Sequence, residues 1–180
     1  CKLVKFSYFK FYKINGDKMV INALKAFIKR TPISYIFIFF KSLFVKPTTQ
    51  NDEALIIEQL INRYQIPKSF IEFGFSGWEF NCSDLASTWE GLLLDGDLYN
   101  IKIARVLWKS NISLRHTWLT LKNINIFEEW LADNLLGILS VDVDGNDYWF
   151  IEALLYLQPA MLIAEYNSQL GSDLITVPYD

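Results

Sequence analysis

The sequence predicts an α/β domain built on an open parallel sheet, and three observations carry that expectation. Five short apolar runs alternate with stretches of helical periodicity, the pattern of strands joined by crossover helices. The first run, Phe70-Ile71-Glu72-Phe73, leads into glycines at Gly74 and Gly77, a strand-to-turn signal. Acids then stand at the ends of the runs, at Glu72, Asp95, Asp142, Asp144 and Glu165. Open parallel sheets bind ligands at those C-terminal strand ends.

Taken in order, residues 1–18 are basic and aromatic without a clear period. Residues 19–30 form an amphipathic helix, with Ile21, Leu24, Phe27 and Ile28 on one face and Pro32 limiting it. Residues 33–45 are strongly apolar but interrupted by Lys41, and they fall short of the ~20 residues needed to span a bilayer. They read as a docking or interfacial segment, with core packing first and membrane contact second. The polar stretch 46–51 is a linker, so residues 1–50 form a basic N-terminal extension and 51–180 the sheet domain.

Within that domain, 52–64 is a helix stopped before Pro67. Residues 69–97 make a strand, a glycine turn, a helix-compatible segment and a second strand, Leu92-Leu93-Leu94, that ends on Asp95. A helix over 98–110, a short strand at 112–114 and a loop at 120–125 follow. The rest is a helix over 126–134, a buried strand at 137–143, a helix over 147–157 and another buried strand at 159–166.

Charge and composition narrow the function. Residues 1–50 hold ten Lys/Arg against one acid, +9, whereas residues 51–180 hold seven against 19, −12. The acidic body argues against nucleic acid as a partner, because phosphate sites need clustered cations. The basic, aromatic front suits an anionic surface such as a membrane face, which predicts a cytoplasmic protein peripheral to the inner membrane face through residues 19–46. Two cysteines, Cys1 and Cys82, exclude a disulfide framework and a cysteine-based zinc site, and the single His116 excludes a multi-histidine metal site.

The acid at Asp95 lies 21 positions past Gly74, close to the roughly 20 expected of a ribose-binding carboxylate. The glycine turn lacks the full pattern of a dinucleotide fingerprint and carries Glu72 at its start. A carboxylate ~4 Å from a phosphate costs about 1 to 4 kcal/mol, while a cationic ligand gains by it. S-adenosylmethionine fits, having an ammonium, a positive sulfur and no phosphate. Gly74 and Gly77 would let the backbone approach it closely, and Asp95 would accept hydrogen bonds from its ribose.

Four segments, FIEFGFSGWEFN, GLLLDGD, ILSVDVDGNDYW and LIAEYNS, together resemble the FkbM-type S-adenosylmethionine-dependent methyltransferases over about residues 52–180. The resemblance implies a Rossmann-like sheet of the class I methyltransferase type and methylation of a hydroxyl on a sugar, glycan or small molecule. It also implies two further strands beyond Asp180, so that residues 51–180 would form a C-terminally truncated domain. By position, Glu72, Gly74, Ser76 and Gly77 match the first cofactor motif, Asp95 matches the ribose acid, and Asp142, Asp144 and Gly145 match the acidic strand end. Phe75 and Trp78 depart from the small or acidic residues of that turn.

The candidate site follows from these readings. Asp142 and Asp144 are the catalytic pair, and together with Asp147 they would be the ligands of an optional Mg²⁺. Thr120 and Asn123 would border the adenine, whereas Asp147, Glu165 and Asn167 would contact the acceptor. Trp118 reads first as core and second as an adenine wall, and His116 as a packed or solvated residue rather than a base. A nicotinamide-dependent oxidoreductase, or an inactive domain tethered to a membrane or a complex, are the alternatives.

Overall fold

The computed structural model describes residues 17–49, 53–108, 110–143, 145–165 and 178–179. The chain divides into two compact units, Cys1–Ser34 and Tyr35–Asp180. The division falls earlier than the polar linker at 46–51 suggests. Thr48 explains why: its amide donates to Trp78 O (3.2 Å) and its carbonyl accepts from the Phe80 amide (3.2 Å), stitching the linker to the glycine-turn segment.

The first unit holds the helix α1, Asp17–Arg30. The helix α2, Ile33–Ser42, carries the chain into the second unit. There α2 buries Ile38 and leaves Ile36, Phe37, Phe39 and Phe40 exposed. The expectation that core packing claims this apolar run is thus overturned for all of these except Ile38. Lys41 turns back to place its ammonium 4.2 Å from the centre of the Trp78 ring.

The second unit continues with α3 (Glu53–Arg63), β1 (Ser69–Phe73), β2 (Glu90–Asp95), α4 (Leu98–Leu107), β3 (Ile112–His116), α5 (Ile126–Leu131), β4 (Ile138–Val141), α6 (Asp147–Leu154) and β5 (Met161–Ala164). All pairings are parallel, in the order β3-β2-β1-β4-β5. The protein is therefore α/β with an open five-stranded parallel sheet of Rossmann-like order.

Alternation along the strands divides the core between the two faces of the sheet. Phe70 and Leu93 join Phe75, Phe80, Cys82, Trp89 and Ile101 on one face. Ile71, Phe73, Leu92 and Leu94 join Phe127, Phe150 and Leu154 on the other. Phe73 is the hub of this second layer, with its ring 5.5 Å from both Phe127 and Phe150. β5 differs from the expected buried strand: its residues alternate between half-buried and exposed, and among the described residues it is one of the two sheet edges.

A second difference lies between β1 and β2. No α-helix forms over residues 81–88; successive tight turns do instead, with the amides of Ala86 and Trp89 reaching back to Cys82 O and Leu85 O. The chain reaches β2 within a dozen residues of Gly77, and the opening amides of this segment are held by a side chain of β1, described next.

Candidate functional site

Strand order reverses beside β1, because β2 follows it on one side and β4 lies on the other. The crevice at such a switch point is where open α/β sheets hold ligands. A cleft of about 470 Å³ opens there, within the roughly 300–1,000 Å³ of small-molecule sites. Its floor is the glycine turn after β1, one wall the end of β2 with the loop after β3, and the other the end of β4 with α6.

The floor needs its glycine. Gly74 has φ +75°, and a β-carbon there would sit 1.5 Å from the carbonyl oxygen of Asp142. The ends of β1 and β4 therefore touch backbone to backbone, which places Asp142 directly beside the turn. Gly77 works outside the cleft: a β-carbon would meet Ile103 Cβ at 2.6 Å, so this glycine lets the turn lie against α4. Its amide donates to Asn100 Oδ1 (3.2 Å).

On the β2 wall, Asp95 accepts a short hydrogen bond from the Asp97 amide, and Asp97 caps α4 by accepting from the Tyr99 amide (2.8 Å). Burial lifts the Asp95 carboxyl above its ordinary pKa, opposed by the Asp97 amide and the Asn100 side chain. Asn100 thus links the glycine turn to the acid, and both line the cleft. Trp118 lines it too and is 79% exposed, which overturns its reading as core. Its ring lies so close over Gly96 that a β-carbon there would approach it to 2.4 Å.

Of the expected site residues, the structure brings Gly74, Ser76, Asp95, Thr120 and Asp142 to this cleft. Asn123 stands behind Thr120, its Oδ1 accepting from the Thr120 amide (2.8 Å) and its Nδ2 donating to Trp118 O (3.1 Å). It shapes the loop and does not line the cleft. Asp147 is committed elsewhere as well: its two oxygens accept from the amides of Val143 (3.1 Å) and Gly145 (3.0 Å). It does not line the cleft. No group of three or more His, Cys, Asp or Glu among the described residues is placed to hold a metal ion. Asp144 and Asn167 lie outside the described residues.

Glu72 faces away from the cleft. As the penultimate residue of β1 it projects to the Phe70 side of the sheet, where it is 2% exposed. Its carboxylate accepts from the amides of Asn81 (2.8 Å) and Cys82 (2.9 Å). Burial raises its pKa to about 7, with those two amides restraining the rise. Burial, with Glu72 beside it, also pushes the Cys82 thiol well above its ordinary value. Glu165 shares with Glu72, Glu79 and Asp142 a separate hollow of about 80 Å³. His116 lies on the exposed end of β3 with Nε2 3.0 Å from Gly96 O, and it does not line the cleft.

Sequence reasoning missed Asn100, Asn146, Phe150 and Tyr179, all of which line the cleft. Asn100 had a signal, since it sits in the first turn of the helix that follows Asp95. Tyr179 had none. It arrives from far along the chain, its hydroxyl accepting from the Leu121 amide (3.2 Å) and its ring 6.3 Å from Phe150.

The charge of the cleft is its clearest chemical property. Two carboxylates, Asp95 and Asp142, line it, and no lysine, arginine or histidine does among the described residues. A scan against family models and searches of curated proteins and of solved structures find no match to this chain.

Proposed function

We propose that the protein is an S-adenosylmethionine-dependent methyltransferase of the class I type, resembling the FkbM-type enzymes and acting on a hydroxyl of a sugar, glycan or small molecule. One observation carries the reading: a switch-point cleft walled by two acids and, among the described residues, lined by no cation. Such a cleft disfavours a pyrophosphate by about 1 to 4 kcal/mol for each nearby carboxylate and favours a ligand bearing ammonium and sulfonium charges.

The residues fit the cofactor in kind. Gly74 keeps the floor open to close backbone approach, Asp95 offers a carboxylate to a ribose diol, and Trp118 offers an exposed ring to a purine. The bound cofactor supplies a methyl group on a positively charged sulfur. The chain's own work is alignment and proton handling. Asp142, fixed beside Gly74, is the group that would take the acceptor's proton, and its negative charge helps hold the cationic ligand before transfer.

Isothermal titration with S-adenosylmethionine and, in parallel, with NAD⁺ tests the reading. Binding of the first and silence with the second is the expected result. NAD⁺ binding that survives Asp95→Ala, with none of S-adenosylmethionine, would sink it.

A further inference from the structure

Six large apolar side chains stand exposed in one short stretch, Ile36, Phe37, Phe39 and Phe40 on α2 and Leu43 and Phe44 just after it. Phe44 is 87% exposed, and each of the others is more than half exposed. The helix is anchored from the opposite side, where Ile38 is 1% exposed and Lys41 packs on Trp78. With about 100° of rotation per residue, that anchoring leaves a wide, unbroken apolar face turned outward. A continuous face of this kind on a folded domain marks a docking surface.

We infer that this face seats the protein on an anionic lipid surface. Ten residues of α-helix reach only about 15 Å, half the thickness of a bilayer's hydrocarbon core. No helix among the described residues is long and apolar enough to cross a membrane. The segment therefore lies in the plane of the interface, aromatic side chains down. Charge selects the lipid. The face belongs to the stretch of chain carrying +9 over residues 1–50, with exposed Lys46 close behind it, while residues 51–180 carry −12. An anionic headgroup layer attracts that basic stretch, so charge adds to the apolar contact. Two polar side chains interrupt the six apolar residues, Lys41, which is occupied with Trp78, and Ser42, whose hydroxyl donates to Phe39 O (2.7 Å), so the face offers few of the directional groups of a protein-specific interface.

The test uses the full chain and needs no cofactor. Co-sedimentation is measured with phosphatidylcholine vesicles, with and without phosphatidylserine, at low and high salt. The expected result is pelleting that requires phosphatidylserine, weakens with salt, and drops at least about tenfold in the Phe37→Glu/Phe40→Glu variant. Should that variant lose its cooperative melt, Leu43→Ser/Phe44→Ser, outside the helix, gives the same readout. Absence of pelleting at low salt, or equal pelleting of wild type and variants, overturns the inference. A concentration-dependent dimer seen without vesicles, and abolished by the same substitutions, overturns it in favour of a second copy of this chain.

Discussion

Gly74 and Asp142 meet backbone to backbone just past the ends of β1 and β4, with room for no β-carbon between them: one built on Gly74 falls 1.5 Å from the Asp142 carbonyl oxygen. Gly74→Ala must therefore separate β1 from β4 or abandon φ +75°. The expected cost is at least about 3 kcal/mol of folding stability. Urea denaturation measures it, and a loss below about 1 kcal/mol would show that the turn can relax without opening the sheet.

Glu72 makes stability depend on pH in an unusual direction for a carboxyl. Its folded pKa of about 7 exceeds the ordinary 4.5, so its contribution is complete below pH 4.5 and is lost as pH rises through 7. The loss amounts to about 3 kcal/mol at its largest. Glu72→Gln should flatten this slope, while costing about 1–3 kcal/mol because one of the two amides loses its acceptor. Denaturation midpoints of both proteins across that pH range check it; parallel curves would mean the carboxylate stays charged throughout.

Asp95→Asn keeps the shape of the cleft wall and removes a charge. S-adenosylmethionine affinity is expected to fall by about 1.5–3 kcal/mol, the range for hydrogen bonds to a charged group. Trp118→Ala should weaken the same affinity by about 1–2 kcal/mol with almost no change in melting temperature, since the ring is so exposed. Titration calorimetry separates the two residues from a general loss of fold.

Asp142→Asn should divide binding from transfer. The expected drop in methyl-transfer rate is about 10²–10⁴-fold, the contribution of a general base, with a much smaller change in S-adenosylmethionine affinity. If both fall together, Asp142 holds the cofactor and the proton leaves by another route.

Much of this architecture was legible in the sequence, for reasons that can be traced to particular residues. Leu92-Leu93-Leu94 and Ile138–Val141 read as strands because sheets covered on both faces use continuous apolar runs. The same continuity hid the direction of Glu72. With all five residues of β1 buried, no alternation marks which face each takes, so a residue at the turn's doorway turned out to point behind it. The helix expected after Gly77 is replaced by successive tight turns over residues 81–88. Asp147 reads as a ligand by proximity, whereas the structure places it outside the cleft, accepting from two amides of its own turn. Aromatic residues are usually buried, and that rule misplaced Trp118 and the phenylalanines of α2 alike. The pairing of acids in the cleft, with no cation beside them among the described residues, required the fold, because the residues converge from distant parts of the chain.

Cys82 offers a use that has nothing to do with chemistry at the cleft. Its thiol is fully buried, held in the neutral form and packed beside Glu72, so alkylating reagents reach it only when the layer beneath the glycine turn opens. With Cys1 replaced by serine, its labelling rate relative to a free thiol reports the free energy of that opening directly. The protein carries its own gauge of how tightly the floor of the cleft is closed. Ligands that steady the turn should slow the labelling in proportion to their binding, whatever reaction they go on to undergo.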